Sequence, residues 1–344
     1  MAILGIETSC DETACGIINL DGKVLGNVVA SQINTHAPYG GIIPELASRA
    51  HLINIYKVYK QTLQESKISS KEIKAIAVTY GPGLAGSLLV GINFAKGLSM
   101  SLDVPLIGVN HLEGHIMAAL IRDNKLILDL DNSFFPSLCL LISGGHTELI
   151  LMKSYDKFSL IGQTRDDAVG EAYDKVSRLL GLGYPGGPII EKMAKNFSNK
   201  NRYVLPRAWL NDSYEFSFSG LKTATMNLTN KELFSNNLNK VETQKTISDI
   251  SYAFQESVFD VLFSKTTNAA TEFSCKNILI SGGVAANGFL RENFLSKSSF
   301  KVIFPEKQFC TDNGIMIASR GLIDYLKNKK LDENLEVTPQ LNIL

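Results

Sequence analysis

Two histidines at the start of one predicted helix have the spacing that most clearly indicates chemistry. The segment NHLEGH, residues 110–115, follows an apolar strand pattern and places His111 and His115 four residues apart. Side chains at this spacing project from one face of a helix, and two imidazoles there can share one metal ion at about 2.0–2.1 Å from each nitrogen. A third ligand must come from elsewhere, and Asp312, which opens the last predicted helix, is the candidate.

The histidine pair is also compatible with two other roles. The residues could be ordinary helix histidines, or they could belong to a zinc peptidase. The peptidase motif needs a glutamate directly after the first histidine, and this position is Leu112. Glu113 lies about 100° further round the helix, where we expect it to complete a capping box with Asn110. The pattern therefore disfavours a peptidase.

Two double-glycine turns predict a nucleotide site. The segment LISGG occurs at 141–145, between two predicted strands, and again at 279–283, where a helix follows. Glycine lets a ligand approach backbone N–H groups closely, and a helix N-terminus favours an anion. Asn287 lies early in the second helix, where its amide could bond a ribose or a base. Either segment alone is better explained as a simple tight turn, but together they favour nucleotide binding.

Carboxylates follow several of the predicted strands. Asp11 and Glu12 come after the first strand, where paired acids can position a metal, water or amine; a solvated hairpin turn is the alternative. Asp166 and Asp167 stand where the dipole of a helix N-terminus favours acids. Asp174 lies two turns further along the same predicted helix and could reach a pocket that Asp166 could not.

The composition limits the class of protein. The 344 residues suffice for one large or two medium domains, and 45% hydrophobic with 20% charged residues is ordinary for a globular chain. Basic and acidic residues balance at 34 each, so no overall field attracts nucleic acid or a membrane. The affinity for an RNA would have to come from a local patch or from partner proteins. Residues 192–207 are the candidate patch, with a solvated loop as the alternative. The five cysteines form no CxxC pair, which predicts a reducing, cytoplasmic location without disulfides.

The predicted elements give a mixed α/β arrangement. Strands at 2–8, 14–20 and 23–31 precede a helix at 44–66, a strand at 74–80, a helix at 84–101 and a strand at 104–109. The pattern restarts with strands at 137–143, 148–153 and 158–163 and a helix at 166–181; helices at 248–273, 285–297 and 312–328 and strands at 277–281 and 301–304 follow. The polar segment 226–248 is predicted as a surface loop, and the last residues as a loosely held tail.

Seven segments together resemble the bacterial TsaD family of tRNA threonylcarbamoyladenosine synthesis, once labelled O-sialoglycoprotein endopeptidases. They are GIETSCDET (5–13), PELASR (44–49), NHLEGH (110–115), ISGGHT (142–147), YPGGP (184–188), FSFSGLKT (216–223) and SGGVAAN (281–287). The segments occur in family order, so the resemblance extends over nearly the whole chain.

The resemblance implies an actin-like ATPase (ASKHA) fold. In that fold, two ribonuclease-H-like halves, each a mixed sheet flanked by helices, surround a central nucleotide cleft. We place the first half at 1–110, closed by the C-terminal helix 312–328, and the second at 111–325 with the metal and nucleotide loops. Residues 329–344 remain as a tail.

The resemblance also implies a reaction and its residues. The threonylcarbamoyl group of L-threonylcarbamoyl-adenylate would pass to the exocyclic amine of the tRNA adenosine next to the anticodon, in tRNAs that read codons beginning with A, and AMP would leave. By match of motif, His111, His115 and Asp312 would hold one divalent metal, iron(II) or zinc, and Asp11 and Glu12 would lie near the reaction centre. The substrate-binding residues would be Leu141, Ile142, Ser143, Gly144, Gly145, Asp174, Gly187 and Asn287. The family works with a TsaB-like paralogue and a TsaE-like ATPase, and no membrane is involved.

Two other functions fit the same fold class. A metabolite kinase would account for the glycine turns and the acids but would leave the histidine pair unused. A nucleotide-binding scaffold without catalysis would need none of the predicted chemistry.

Overall fold

The computed structural model describes residues 1–130, 133–199, 202–210, 213–234, 238–327 and 334–343. Over these residues the strands are β1 (Ala2–Glu7), β2 (Glu12–Asn19), β3 (Val24–Ser31), β4 (Ile73–Gly81), β5 (Leu106–Asn110), β6 (Ile121–Arg122), β7 (Lys125–Leu126), β8 (Ser137–Ile142), β9 (Thr147–Ser154), β10 (Lys157–Gln163), β11 (Asn277–Ser281) and β12 (Lys301–Ile303). The helices are α1 (Ile33–His36), α2 (Pro44–Ser66), α3 (Ala85–Leu102), α4 (His111–Ala118), α5 (Val169–Leu179), α6 (Gly186–Ala194), α7 (Ser219–Thr229), α8 (Lys240–Glu272), α9 (Gly288–Lys297) and α10 (Gly314–Leu326).

The chain divides into two compact units. Unit 1 is formed by Met1–Asn132 together with Pro305–Leu344, and unit 2 by Ser133–Phe304. The first boundary thus falls at Asn132 and not at residue 110, so α4 with both histidines belongs to unit 1. Helix α10 returns to unit 1 as well, which puts Asp312 in the same unit as the histidines.

Both units contain a five-stranded sheet of the same topology. The order is β3-β2-β1-β4-β5 in unit 1 and β10-β9-β8-β11-β12 in unit 2. In each sheet the first three strands of the unit pair antiparallel, and the last two add in parallel. A four-residue turn joins the first strand to the second in each unit, at 8–11 and at 143–146. The mixed α/β architecture predicted from the sequence is confirmed.

Strand alternation accounts for how the sheet of unit 1 is covered on both faces. Leu4 and Ile6 of β1 pack in one core with Ile55 of α2 and Ile92 of α3. Gly5, between them, faces α10 instead. The sheet is therefore buried on both sides, which is why every residue of β1 is buried.

The C-terminal residues pack against unit 1. Leu335 is only 1% exposed and lies in the core of unit 1. The N–H of Thr338 donates to the carbonyl of Tyr80 at 2.8 Å, and that of Gly83 to the carbonyl of Pro339 at 3.1 Å. The prediction of a loosely held tail is wrong for residues 334–343, because two backbone hydrogen bonds attach them to β4 and the turn that follows it, and one leucine is buried in the core of unit 1.

The segment 226–248 is mostly helical, so the prediction of a surface loop is largely wrong. Helix α7 continues to Thr229 and a π-helical turn follows, Asn230–Phe234. Helix α8 begins at Lys240, where Asn239 and Glu242 form a capping box. The first turns of α8 are exposed, so they carry no apolar periodicity that could reveal a helix in the sequence. Among the described residues, no helix combines the length and apolar character needed to cross a membrane.

Candidate metal centre and glycine turns

The end of β5 places both histidines. Asn110 ends the strand and caps α4, since its Oδ1 accepts a hydrogen bond from the N–H of Leu112 at 2.9 Å. His111 is therefore the first residue of α4, and His115 lies one turn later on the same face. Their residues are 6% and 1% exposed, so both imidazoles are removed from bulk water.

Asp312 lies beside the two imidazoles. Its Oδ1 is 3.1 Å from Nε2 of His115 and 3.6 Å from Nε2 of His111. One donor atom from each of the three residues lies within 4.8 Å of the others. Folding thus brings together the two histidines and the aspartate, as the sequence predicted.

Three glycines let the start of α10 lie directly on β1 and β2. A Cβ atom on Gly314 would lie 2.0 Å from the backbone nitrogen of Gly16, and one on Gly5 would lie 2.2 Å from the carbonyl oxygen of Gly314. No side chain fits at either distance. Asn313 caps α10 through its Oδ1, which accepts from Met316 N–H at 2.9 Å. Asp312 precedes this cap rather than opening the helix, and the close approach fixes its backbone relative to the sheet.

Two residues that received no role from the sequence orient His111. Oε2 of Glu7 lies 3.0 Å from Nδ1 of His111 and accepts from the hydroxyl of Thr79 at 2.6 Å. The hydroxyl of Ser9 is 3.1 Å from the same ring nitrogen. With Nδ1 engaged in this way, Nε2 is the nitrogen that faces Asp312, as in metal sites where a carboxylate orients a histidine ligand. The available signal was a single acid at the end of the otherwise apolar strand AILGIE.

The charges of the site are strongly coupled. Burial by itself would raise the pKa of Glu7, but the His111 imidazole outweighs burial and lowers it. Burial would lower the pKa of His111, yet the carboxylates of Glu7 and Asp312 raise it to about 9. The raised pKa favours the protonated imidazole of His111, and a metal that binds there must displace this proton.

The unpartnered atoms of His115 fit a metal ligand. Both of its ring nitrogens are buried, and neither makes a hydrogen bond, although Nε2 lies close to Asp312. A buried polar atom without a hydrogen bond is costly, and a metal ion would satisfy Nε2, the nitrogen that faces Asp312. Two imidazoles and one carboxylate are a donor set that suits zinc or non-haem iron(II) and leaves coordination positions open.

Asp11 and Glu12 lie near this centre. Asp11 is 7% exposed, which excludes a solvated hairpin turn for its side chain. Burial raises the pKa of Glu12 well above its ordinary value, and repulsion from the carboxylates of Asp312 and Asp11 adds to this rise. Glu12 therefore belongs to the same electrostatic cluster as the candidate ligand Asp312.

In unit 2 the two double-glycine turns lie side by side. They end the neighbouring parallel strands β8 and β11, whose register pairs Leu141 with Ser281. Gly282 has φ of +90°, and a Cβ there would lie 2.4 Å from the carbonyl oxygen of Ile142. Gly144 and Gly145 are exposed, and a Cβ on either would meet nothing within 4 Å. The first turn thus has open space in which a ligand could reach its backbone.

Part of the donor capacity of the first turn is already used. The hydroxyl of Ser143 accepts from the N–H groups of Gly145 and His146, at 3.3 and 3.1 Å. An anion bound at this turn would compete with Ser143 for these two donors.

The other predicted substrate residues cap helices of unit 2. Oδ1 of Asp174 accepts from the N–H of Gly186, the first residue of α6, at 2.6 Å, and Gly187 follows with open space around it. Asn287 caps α9 by accepting from Leu290 N–H at 3.0 Å and donates to Gln255 on α8, also at 3.0 Å. Both the oxygen and the nitrogen of its amide are thus already engaged in hydrogen bonds within unit 2.

Two further sequence predictions are corrected, and the candidate RNA patch stays a prediction. Glu113 forms no capping box; it pairs with Arg320 on α10 at 2.7 Å, which leaves it unsuited as a peptidase base. Asp166 caps α7 rather than its own helix, because its Oδ1 accepts from Phe218 N–H at 2.8 Å. The basic segment 192–207 is partly neutralised: Arg202 pairs with Asp249, Arg207 with Asp260 and Lys195 with Glu191. Lys200 lies outside the described residues.

Solved structures define the fold class. The chain is similar to full-length HypF in a phosphate- and nucleotide-bound form, with a TM-score of 0.59 and 14% identity over 96% of this chain and 47% of that chain. The chain is also similar to (R)-2-hydroxyglutaryl-CoA dehydratase component A of Acidaminococcus fermentans, with a TM-score of 0.55 and 14% sequence identity. This match covers 96% of this chain and all of that one. The fold is that of the actin-like ATPases, as predicted.

Sequence relatives define the family within this fold class. The sequence model of TsaD, tRNA N6-adenosine threonylcarbamoyltransferase, matches residues 23–319. The protein with that name from Thermosipho africanus is 47% identical to this chain over 347 residues, and the match covers both chains fully. The one from Dehalococcoides mccartyi is 45% identical over 345 residues, which cover 100% of this chain and 99% of the relative. A Bacillus cereus relative is 46% identical over 346 residues, covering 99% of this chain and 96% of its own. The chain belongs to the TsaD family. It is a transferase of tRNA threonylcarbamoylation, and a metabolite kinase is not favoured.

Proposed function

We propose that His111, His115 and Asp312 hold one divalent metal ion, iron(II) or zinc, for the transfer of threonylcarbamoyl to tRNA. The observation that carries this proposal is the buried His115, whose two ring nitrogens lack hydrogen bonds while Nε2 lies 3.1 Å from Oδ1 of Asp312. When bound, the ion would supply Lewis-acid polarisation of the carbonyl under attack or neutralise a phosphate.

The donor in this proposal is L-threonylcarbamoyl-adenylate, bound by unit 2. The residues proposed for it are Leu141, Ile142, Ser143, Gly144, Gly145, Asp174, Gly187 and Asn287. The support is the pair of adjacent glycine turns, the open space at Gly144, Gly145 and Gly187 and the N-terminus of α6. Backbone N–H groups and a helix N-terminus stabilise an anion, here the AMP that leaves.

The acceptor is the exocyclic amine of the adenosine next to the anticodon. Its nitrogen forms a bond with the carbamoyl carbon, the bond from that carbon to the phosphate oxygen breaks, and the amine loses one proton. We place Asp11 and Glu12 near this amine. The pKa of Glu12, which burial and the nearby carboxylates raise well above its ordinary value, supports a carboxyl group suited to proton transfer.

The proposed partners are a TsaB-like paralogue and a TsaE-like ATPase. An apolar face of α2 is available in unit 1: Leu52, Ile53 and Tyr56 are 65%, 64% and 62% exposed, and their spacing places them together on the helix. We assign this α2 apolar face to the paralogue, because an exposed apolar cluster of this kind marks a protein contact. No disulfide joins the five cysteines, all of which lie among the described residues, and this together with a tRNA substrate supports a cytoplasmic location.

The test is a reconstituted reaction followed by mass analysis of the nucleosides. The purified protein is incubated with tRNA, threonine, bicarbonate, ATP, its partners and the adenylate-forming enzyme. We expect threonylcarbamoyladenosine from the wild type, loss of product after chelation, and recovery when iron(II) or zinc is returned. His111→Ala should keep the fold, lose the metal and give no product even with added metal. Full activity of that variant would rule out the metal mechanism.

A further inference from the structure

Arg320 is a buried arginine that links α10 to α4. Helix α4 carries His111 and His115, and Asp312 lies just before α10. It lies on α10 and is only 2% exposed. Its Nε is 2.7 Å from Oε2 of Glu113 on α4, and its Nη2 donates to Oδ1 of Asp324 at 2.8 Å. Glu113 stands between the two histidines in the sequence. The ion pair therefore spans the same two elements that must meet to form the metal centre.

Helices α4 and α10 pack closely, and a glycine lies at their contact. Gly114 of α4 lies at this contact: a Cβ there would lie 2.9 Å from Cδ1 of Ile317 and 3.3 Å from Cγ of Met316. Glycine permits this close approach but offers no side chain that interlocks with α10. A metal site needs its donors held within about 0.5 Å and 10–20° of the binding geometry, so a contact that restricts the rotation of α4 against α10 matters for the site.

We propose that the Arg320–Glu113 pair is this contact and acts as a positioning element for the metal centre. The two opposite charges lie 2.7 Å apart inside the protein, and leaving the buried guanidinium without its partner is strongly unfavourable. Fixing Glu113 against Arg320 fixes the rotation of α4, and this keeps His111 and His115 at binding distance from Asp312. Neither Arg320 nor Glu113 touches the metal.

Asp324 offers a matched control within the same cluster. It also binds Arg320, and it is similarly buried, with side chains of Asp324 and Glu113 9% and 18% exposed. Asp324, however, lies four residues after Arg320 on the same helix. Removing the carboxylate of Asp324 takes away one ion pair of the guanidinium but leaves the Arg320–Glu113 pair between α10 and α4 in place.

The experiment compares Glu113→Gln with Asp324→Asn in the full chain, using Co(II) as the probe. Co(II) affinity is measured by chelator competition, its coordination by the visible absorption spectrum, and the stability of the metal-free protein by its Tm. We expect both variants to lower Tm, but only Glu113→Gln to weaken Co(II) binding about tenfold or more and to alter the spectrum. Wild-type affinity in Glu113→Gln, or an equal loss in Asp324→Asn, would overturn the positioning role. If Glu113→Gln does not fold, Glu113→Asp, one methylene shorter, is compared with Asp324→Asn in its place, and the same two results support or overturn the role.

This inference rests on the proposed metal centre, and the two can fail separately. If the wild type binds Co(II) no better than His115→Ala, the metal centre itself is refuted. If the wild type binds one Co(II) that His115→Ala loses, while Glu113→Gln equals the wild type, only the positioning role is refuted.

Discussion

Glu7 on β1 and His111 on α4 are joined by a hydrogen bond of 3.0 Å between Oε2 and Nδ1. Glu7 is completely buried, at the end of a strand whose other residues are all apolar or glycine. The bond decides which ring nitrogen of His111 is directed to Asp312, so a residue that touches neither metal nor substrate sets the orientation of a ligand.

Replacing this carboxylate should weaken metal binding without unfolding the protein. We expect Glu7→Gln to lower the affinity for Co(II) or Zn(II) by about 10–100-fold, because the amide is uncharged and can present its N–H₂ to Nδ1. Thr79→Val is the control, since it removes a hydroxyl that binds Glu7 at 2.6 Å but keeps the Glu7–His111 bond. An affinity in Glu7→Gln as high as that in Thr79→Val would contradict the orienting role.

A buried carboxyl in unit 2 should make stability depend on pH. Glu148 on β9 is 8% exposed, and its buried Oε2 makes no hydrogen bond, so burial raises its pKa from 4.5 to about 7. Below pH 4.5 both folded and unfolded chains hold the proton. Between 4.5 and about 7 only the unfolded state ionises, and stability falls; above 7 the full penalty is present. At about 1.4 kcal/mol per tenfold change in ionisation, the loss is about 3 kcal/mol at most.

Glu148→Gln tests this effect directly. The variant cannot ionise, so we expect its midpoint of urea unfolding to exceed that of the wild type at pH 8 and to approach it at pH 4.5. Glu65→Gln, at an exposed position on α2, should change neither midpoint. The same difference between Glu148→Gln and the wild type at both pH values would show that ionisation is not the cause.

The order of the elements could be predicted because it follows local patterns. Helix α2 and strand β11 have the bounds that the sequence indicated, since apolar spacing and a proline at the start of α2 are local signals. The pairing of His111 and His115 on one helix face could also be predicted, because the two residues are four positions apart in the sequence. Contacts between distant segments have no such signal. Gly5, Gly16 and Gly314 matter only because α10 lies directly on β1 and β2.

The C-terminal residues were missed for the same reason, and they give a prediction of their own. Leu335 is isolated in a polar sequence, yet it packs in the core of unit 1 against β5, where a Cβ on Gly108 would lie 2.4 Å from its Cδ1. We expect Leu335→Ala to destabilise the protein by about 2–5 kcal/mol, seen as a lower urea midpoint. Asn334→Ala, at the exposed neighbouring residue, should have little effect. A wild-type midpoint for Leu335→Ala would mean that the tail is not part of the core in solution.

The last prediction concerns the partner. A charge placed on the α2 apolar face should prevent binding of the paralogue, because a buried unpaired carboxylate is unfavourable in an interface, while the free protein stays folded since the position is exposed. We therefore expect Ile53→Glu to lower the affinity for the TsaB-like protein at least tenfold, measured by calorimetry, and to reduce tRNA modification in the reconstituted reaction. Its metal content and Tm should match those of the wild type. Leu295→Glu is the control, since Leu295 on α9 of unit 2 is 61% exposed, much like Ile53 at 64%. If both variants bind the paralogue as the wild type does, the partner uses another surface; if both lose binding equally, the effect is one of added charge and not of the α2 apolar face.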